Sequence, residues 1–295
     1  MTRVDDAAWL AERFEEQRTR LRSVAYRMLG STSEADDAVQ DAWLRISRTD
    51  TSEVENLSAW LTTVVARVCL SMLRRRTSRR EEPLDGQRPA ATPSAGRDPE
   101  EEALLADSVG LALLVVLDTL TPAERLAFVL HDMFAVPFDE IAPMLDRSPA
   151  AARQLASRAR RRVTGVGPVA EADLTRQRRV VDAYLAAARN GDFEALVALL
   201  HPDVVLHSDR AAGPTPEPVV LRGARLVARG ATAAGERARF SQPALVNGAV
   251  GVVMAPRGKL FVVLAFTIVD DLITEIDVIG DPERLRTVEL AVLTP

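Results

Sequence analysis

Hydrophobic residues recur with helical spacing through the first two thirds of the chain, and shorter strand-like runs follow. The longest helical stripe lies between Leu57 and Arg80, where apolar residues return at every third or fourth position, which predicts a helix with one buried face. Cys69 and Leu70 fall within the predicted buried part. The members of the stripe are Trp60, Leu61, Val64, Val65, Val68, Met72 and Leu73.

Two shorter stripes precede it and predict that this part of the chain is a three-helix unit. The first covers residues 9–29 and ends at Gly30, a residue type that commonly terminates helices. The second, Ser33–Ile46, starts with a capping serine followed by carboxylates, which favour the positive end of a helix. Its spacing turns one polar face outward, and that face carries Asp37, Gln40, Asp41 and Arg45.

A second helical unit is predicted after a segment rich in proline and glycine at residues 83–99. Thr121 and Glu124 match a capping box, which starts a helix. A short helix that closes near Leu145 and a basic helix over Ala150–Val163 complete a helix-turn-helix. If the apolar residues of the basic helix face inward, the outward residues are Arg153, Gln154, Ser157, Arg158, Arg160 and Arg161.

After about Asp173 the pattern changes to helices followed by short strands. Helices are predicted around residues 180–188, at Phe193–Leu200 and at Ala224–Ala233. Asn247-Gly248 is a typical hairpin turn. Helices packed on a curved antiparallel sheet fit this order of elements. The predicted strands are Val204–His207, Ala244–Val246, Ala249–Met254, Leu260–Val269 and Leu272–Ile279.

The overall charge changes how the basic segments are interpreted. The 295 residues carry a net charge of −5, with 47% hydrophobic and 27% charged residues, which is typical of two or three folded domains. Arg67–Arg80 nevertheless contains six arginines and no acid, a composition that favours a phosphate backbone. The alternative is a solvated helix end whose arginines only complement the helix dipole. An acidic chain with local arginine clusters predicts weak DNA binding alone and a need for a larger partner.

The single cysteine, Cys69, and the three histidines limit the chemistry that the chain can carry. One cysteine excludes a disulfide framework and favours a reducing cytoplasm, and its place on an apolar face indicates packing rather than thiol sensing. The histidines lack the clustered spacing of a metal site, so we expect no metal and no cofactor. The chain shows neither a signal-peptide pattern nor about 20 uninterrupted apolar residues, so no membrane span is predicted.

Ser33–Ile46 and Ser58–Arg76 resemble the conserved second region of extracytoplasmic-function sigma factors, with both helices at the spacing of that family. The resemblance implies that the acidic helix docks on the clamp of bacterial core RNA polymerase. The candidate polymerase-binding residues are then Asp37, Gln40 and Asp41. It also implies that the following loop and helix melt and read the minus-ten promoter element. The candidate DNA-binding residues there are Asn56, Arg67, Arg74, Arg75 and Arg76.

Thr121–Val163 resembles the fourth region of the same family, which reads the minus-thirty-five element. An arginine can bond guanine at two atoms and a glutamine can do so with adenine, so Arg153 and Gln154 are candidates for base contacts. The other candidates for DNA binding on this face are Ser157, Arg158, Arg160 and Arg161, the arginines through phosphates. A plain helical hairpin with a charged face is the alternative.

The order of elements after Asp173 resembles the SnoaL-like, or NTF2-like, α+β cone fold. Sigma factors with such a fused C-terminal domain are similar to this chain, and in that family the domain replaces a separate anti-sigma factor. Asp209–Gly213 departs from the glycine-rich stretch that these relatives carry after the first strand. A second motif, near the C-terminal end of the domain, is more similar to that of the relatives. That motif is the candidate regulatory segment: Asp281, Pro282, Glu283, Arg284 and Leu285. We expect Pro282 to lie in a turn, and the segment either docks on the sigma domains or packs on its own sheet.

These patterns predict a multidomain fold with two all-α sigma domains followed by an α+β cone domain. The predicted boundaries are 1–80 for region 2, 81–100 for a flexible linker, 101–165 for region 4 and 173–295 for the cone domain. The predicted function is an alternative sigma factor with a built-in regulatory domain and no catalytic role. Its partners are then core RNA polymerase and promoter DNA, in the cytoplasm.

Three other functions stay open at this point. The cone domain could be an enzyme tethered to DNA, with Tyr184, His207 and Asp209 as candidate catalytic residues, although the strand Phe261–Ile268 has no acid to assist them. The concave domain could instead bind a small molecule without chemistry. A repressor that acts without polymerase is the third alternative, and the acidic face of the second helix argues against it.

Overall fold

The computed structural model describes residues 3–49, 54, 56–81, 110–165, 171–213, 217–256 and 259–293. Of the predicted linker, only Glu81 falls within these ranges. The chain divides into two compact units. The first contains the N-terminal helices and most of the helix-turn-helix. The second contains the C-terminal domain together with the start of one helix and the last turn of another from the helix-turn-helix.

Three helices form the N-terminal part of the first unit: α1 (Arg3–Leu29), α2 (Thr32–Ile46) and α3 (Leu57–Glu81). They pack on one another, and the predicted apolar stripes supply the core. The three-helix prediction is confirmed. Its largest fully buried side chains are Phe14, Leu21, Met28, Ile46 and Leu61.

The start of α2 differs from the prediction by two residues. Ser31, not Ser33, is the N-cap, and its hydroxyl accepts a hydrogen bond from the backbone N–H of Glu34. Ser33 lies inside the first turn of the helix, where its own backbone is already helical. Both serines are followed by acids at similar distances, so the local pattern alone did not separate them.

The helix-turn-helix consists of α4 (Leu111–Thr119), α5 (Pro122–Phe128), α6 (Phe138–Leu145) and α7 (Pro149–Thr164), with a π-helical turn (Val129–Met133) that continues α5. The predicted capping box forms: the Thr121 hydroxyl accepts from the Glu124 N–H, and the Glu124 carboxylate accepts from the Thr121 N–H at 3.2 Å. Asp146, with φ of 54°, closes α6 in the left-handed conformation. The predicted helices of this part are confirmed.

In the second unit, α8 (Glu171–Asn190), α9 (Phe193–Leu199), α10 (Ala224–Ala233) and α11 (Gly235–Ala238) accompany a seven-stranded sheet. The strand order is β2-β1-β6-β5-β4-β3-β7. The strands are β1 (Leu200–Ser208), β2 (Val219–Arg222), β3 (Ser241–Val246), β4 (Ala249–Met254), β5 (Val262–Val269), β6 (Leu272–Ile279) and β7 (Leu290–Ala291).

The sheet is mixed rather than purely antiparallel, which corrects the prediction. A hairpin joins β5 to β6 and makes this pair antiparallel, which sets the direction of β6 in the sheet. β6 also lies beside β1, and in that direction the two strands run parallel. The β1–β6 pair is parallel, and the other pairs in the sheet are antiparallel. The predicted combination of helical sigma domains and an α+β domain is confirmed.

Tight hairpins connect neighbouring strands where the sequence predicts them. Asn247 and Gly248 have φ of 51° and 84°, and Asp270 and Asp271 have φ of 49° and 64°. Two successive positive φ angles define the turn that matches the twist of paired strands. Asn and Asp tolerate this conformation better than other non-glycine residues, which explains their presence there.

Three short elements differ from the sequence prediction. β2 and β7 were not predicted, because four and two residues are too few to show a period. The segment at Pro282 is a short helix, α12 (Pro282–Thr287), rather than a turn. Asp281 caps this helix with its side chain, and proline at the first helical position is compatible with a helix start.

Residues Leu57–Ser78 of α3 are, by length and hydropathy alone, long and apolar enough to cross a membrane. The most apolar part of this helix is 44% buried inside the protein. Leu61, Val65, Val68 and Leu73 form the buried face in the three-helix core. We therefore interpret α3 as a core helix.

Candidate functional site

The outer face of α2 carries the candidate polymerase-binding residues. Asp37, Gln40 and Asp41 are all exposed, while the opposite face of the helix is buried against α1 and α3. Arg22 of α1 bonds Asp36 at 2.7 Å and fixes the orientation of α2. Leu44 lies one turn beyond Asp41 with 48% of its surface exposed, which the sequence analysis did not single out.

The arginines at the end of α3 fall into two groups. Arg67, Arg74 and Arg75 are exposed. Arg76 is half-buried, pairs with Glu34 of α2 and donates to the carbonyl oxygen of Leu29 at 3.2 Å. The first group therefore presents an exposed cationic surface, whereas the guanidinium of Arg76 connects α3 with α1 and α2.

Asn56 has a structural role at the start of α3. Its side-chain oxygen accepts a hydrogen bond from the backbone N–H of Ala59 at 3.1 Å, which is an N-cap interaction. The residue is exposed, so its amide group is still accessible. A base contact and the cap would use the same short side chain.

The basic face of α7 has the composition predicted for it. Ala152, Ala156, Ala159 and Val163 are buried and Leu155 is half-buried, which confirms the predicted inner face. The predicted outer residues are all exposed: Arg153, Gln154, Ser157, Arg158, Arg160 and Arg161.

Two arginines of this face have partners in the first unit. The guanidinium of Arg153 lies 5.3 Å from the centre of the Phe138 ring, which orients it at the start of α7. Arg160 donates from Nε to Asp132 at 2.8 Å. Arg153 is therefore positioned at the N-terminal end of the helix, the end that enters the major groove in this motif.

Asp209 joins the segment after β1 to the candidate regulatory segment. Its carboxylate accepts hydrogen bonds from the backbone N–H groups of Ala211 and Ala212 and from those of Gly280 and Asp281, at 2.9–3.1 Å. Burial raises the pKa of Asp209, but the four N–H donors outweigh it and the pKa lies below its ordinary value.

The candidate regulatory segment also forms charged contacts of its own. Arg284 bonds Asp277 at 2.6 Å and lies 3.5 Å from Asp209. Asp281 accepts from the N–H groups of Glu283 and Arg284, which starts α12. The structure thus brings the segment after β1 and the candidate regulatory segment into one hydrogen-bonded cluster, which sequence spacing could not show.

The candidate catalytic residues of the cone domain each have a different environment. Tyr184 is buried against Phe266 with the ring centres 5.3 Å apart, and burial raises its pKa. His207 is half-exposed and lies 3.7 Å from Glu275. The Asp209 carboxylate is occupied by backbone N–H groups. Among the described residues, no group of three or more His, Cys, Asp or Glu side chains could hold a metal ion.

The C-terminal domain is bonded to the two ends of the helix-turn-helix that belong to its unit. The N–H of Val292 donates to the carbonyl oxygen of Val163, in the last turn of α7, at 2.7 Å. The N–H of Ala112 in α4 donates to Gln242 of β3 at 3.3 Å. Gly165 has φ of 67°, and a Cβ there would lie 2.8 Å from the Ala291 side chain. The helix α7 therefore ends inside the second unit.

Comparison with known proteins adds a family context. Residues 14–79 match the family model Sigma-70 region 2, and residues 110–163 match Sigma-70, region 4. The ECF RNA polymerase sigma factor SigJ of Mycobacterium tuberculosis is 39% identical over 292 residues, which cover 92% of this chain and 91% of that protein.

One further relative and one solved structure have similar coverage. The probable ECF RNA polymerase sigma factor SigI of the same species is 34% identical over 95% of this chain and 94% of its own length. The crystal structure of the Mycobacterium tuberculosis extracytoplasmic function sigma factor SigJ covers 93% of this chain and 98% of that chain at 37% identity, with a TM-score of 0.46.

Proposed function

Because the chain belongs to the extracytoplasmic-function family of RNA polymerase sigma factors, we propose specific roles for its exposed faces in transcription initiation. Asp37, Gln40 and Asp41 dock on core RNA polymerase, and the arginine faces of α3 and α7 hold the two promoter elements. The observation that supports this best is the 39% identity to a sigma factor over 92% of the chain. Polymerase acts on chromosomal DNA, so we also propose a cytoplasmic location.

The proposed parts of the sigma factor keep the boundaries inferred from the sequence. They are region 2 at 1–80, a linker at 81–100, region 4 at 101–165 and the cone domain at 173–295. On α3, Arg67, Arg74 and Arg75 make the main phosphate contacts. Arg76 joins them only if it leaves Glu34, and Asn56 contributes a base contact at the edge of the melted element.

Replacing Asp37 and Asp41 together by alanine is expected to weaken binding to core RNA polymerase by roughly 1–3 kcal/mol, because charges paired at a desolvated contact carry that much free energy. Fluorescence titration of labelled chain with core enzyme measures the change. The matched control is the double variant Glu15→Ala/Glu16→Ala, which removes the same charge from an exposed face of α1. If both double variants bind core equally well, these residues are not on the docking face.

Arg153 and Arg161 are expected to differ in how their loss affects DNA. Arg153→Ala should lower affinity by about 1–3 kcal/mol for promoters with one particular base pair, because a bidentate base contact is lost. Arg161→Ala should weaken binding to all promoters equally, because a phosphate contact is lost. It should also reduce the slope of log affinity against log salt concentration by about 1. Binding of holoenzyme to a set of single-base-pair promoter variants separates the two results. An equal loss on every promoter for Arg153→Ala would contradict its proposed role.

We further propose that the cone domain regulates the sigma domains and carries no catalysis. Its tail bonds the last turn of α7 through Val292 and Val163, so a change in the domain reaches the recognition helix directly. Tyr184, His207 and Asp209 each have other partners, which gives no support to a shared active site. A small-molecule ligand in this domain stays a prediction.

Ending the chain at Glu289 is expected to change transcription at least about fivefold, a typical size for coupling between sites. The truncation removes β7 and the Val292–Val163 bond and leaves the Asp209 cluster in place. Run-off transcription at matched core occupancy measures the effect, with the exposed substitution Val269→Thr in the same sheet as control. Equal output from the full chain and the truncated chain would contradict regulation through this contact.

A further inference from the structure

The segment that joins α5 to α6 contacts two arginines on the basic face of α7. The π-helical turn in this segment carries His131 and Asp132, and Phe138 is the first residue of α6. Asp132 accepts from Nε of Arg160 at 2.8 Å, and the Phe138 ring centre lies 5.3 Å from the guanidinium of Arg153. Seven residues separate the two arginines, which is about 10 Å along the helix. Turns of the π type are rare and occur frequently at functional sites.

The Phe138 ring is itself held by a neighbouring side chain. The His131 ring stacks on it, with the ring centres 3.8 Å apart and an angle of 29° between the planes. Nδ1 of His131 lies 3.1 Å from the carbonyl oxygen of Val136, which fixes the imidazole in turn. Because Phe138 would lose the stacking contact in another rotamer, His131 restricts the position of the ring that Arg153 contacts.

The two arginines are held in chemically different ways. Arg160 uses Nε and one Nη donor for its bonds to the carboxylate of Asp132. Arg153 contacts the face of an aromatic ring, which attracts the cation without accepting its N–H groups in conventional hydrogen bonds. A bidentate contact to guanine needs two such donors on one guanidinium. The ring of Phe138 therefore holds Arg153 and leaves its donors available for a base.

Holding Arg153 in advance favours recognition of one base pair. Arginine side chains have many rotamers, and a side chain that is already oriented loses less conformational entropy when it binds. Arg153 lies near the N-terminal end of α7, and in this motif that end contacts the base edges. The direction of its planar fork decides which pair of acceptor atoms it can meet. A residue that sets this direction therefore affects discrimination between bases as well as affinity.

We propose that Phe138, held by His131, is a positioning residue that orients the Arg153 guanidinium for base recognition in the minus-thirty-five element. The role rests on the proposed function, because it acts only through the base contact of Arg153. Phe138 contributes to specificity without touching the base itself. Asp132, in the same segment, holds Arg160 at the phosphates and contributes no base preference.

Binding of holoenzyme to a set of single-base-pair promoter variants tests this role. Phe138→Leu keeps the apolar bulk and removes the ring. It should lower discrimination at the base pair that Arg153 reads by about two- to fivefold, the usual strength of an exposed cation–π contact. Discrimination at the other base pairs should be unchanged. Phe138→Tyr keeps the ring face and should retain the preference of the wild type.

A double-mutant cycle separates positioning from a general structural effect. In the Arg153→Ala background, Phe138→Leu should cause no further change in base preference, because the residue through which it acts is gone. A structural defect would instead lower affinity for every promoter in both backgrounds. Asp132→Asn is the matched control from the same segment. It should change affinity for all promoters by the same factor and leave the base preference intact, because Arg160 contacts phosphate.

The outcomes separate the positioning role from the proposed function. If Arg153→Ala loses base preference while Phe138→Leu keeps the wild-type preference, the positioning role is overturned and the proposed function stands. An effect of Phe138→Leu on preference that is equally large with and without Arg153 would also overturn the positioning role. If Arg153→Ala itself leaves base preference unchanged, the proposed base contact of Arg153 is contradicted, and the positioning role is overturned with it.

Discussion

Addition of core RNA polymerase is expected to raise the affinity of the chain for its promoter by at least about a thousandfold, the lower end of the usual gap between non-specific and specific DNA binding. The net charge of −5 repels DNA at long range. Arg76 is paired with Glu34 and Arg160 with Asp132, so two candidate DNA-binding arginines are already engaged. Titration of a labelled promoter fragment at constant salt, with and without core enzyme, measures the difference.

A fragment with scrambled promoter elements is the control for this titration. The isolated chain should bind this fragment about as tightly as it binds the promoter. Addition of core enzyme should raise the affinity for the scrambled fragment only a little. A tight, sequence-specific footprint from the isolated chain would contradict the prediction. It would then favour the alternative of a repressor that acts without polymerase.

Asp209→Ala is expected to lower the free energy of unfolding of the second unit by about 3 kcal/mol, because four backbone N–H groups lose a charged acceptor. The loop after β1 and the start of α12 then lose their common anchor, so run-off transcription should change as well. Urea unfolding at neutral pH measures the stability. Asp182→Ala is the matched control, since it removes an exposed carboxylate that lies 3.7 Å from Arg178 on the surface of α8 and should cost less than about 1 kcal/mol.

The same variant has a defined pH dependence. The pKa of Asp209 in the folded protein lies below its ordinary value of 3.8, so its contribution is fully present above pH 3.8 and is lost as the pH falls toward the folded-state pKa. The difference in unfolding free energy between wild type and Asp209→Ala should therefore be constant from neutral pH down to about that value and shrink below it. A difference that grows with acidification would contradict the role of the charged carboxylate.

Much of the local structure could be predicted because its causes are local. The stripe in α3, the capping box at Thr121 and the turn at Asn247-Gly248 depend on residues within a few positions of one another. The exposed faces of α2 and α7 follow from the same helical period, so the candidate residues on them, such as Asp37 and Arg153, are exposed as predicted. Their roles in binding stay predictions, because exposure alone does not identify a partner.

The partners of individual charged residues could not be predicted. Arg76 and Arg75 are neighbours in one arginine run, yet only the rotation of α3 against α1 and α2 gives Arg76 the carboxylate of Glu34 and leaves Arg75 exposed. Arg125 lies in α5, where it is buried and donates to the carbonyl oxygen of Met28 at the end of α1, nearly one hundred residues away. Periodicity carries no information on such contacts.

The sequence by itself determined the helices, the hairpins, the α+β character of the C-terminal domain and the family, since periodicity, caps, turns and motifs are properties of short segments. Only the tertiary structure decided that β6 runs parallel to β1, that Asp209 joins two distant segments and that Arg125 of α5 donates to the end of α1. These features depend on which segments meet in space. A buried charge or a parallel strand pair is stabilised by groups that the neighbouring sequence does not contain.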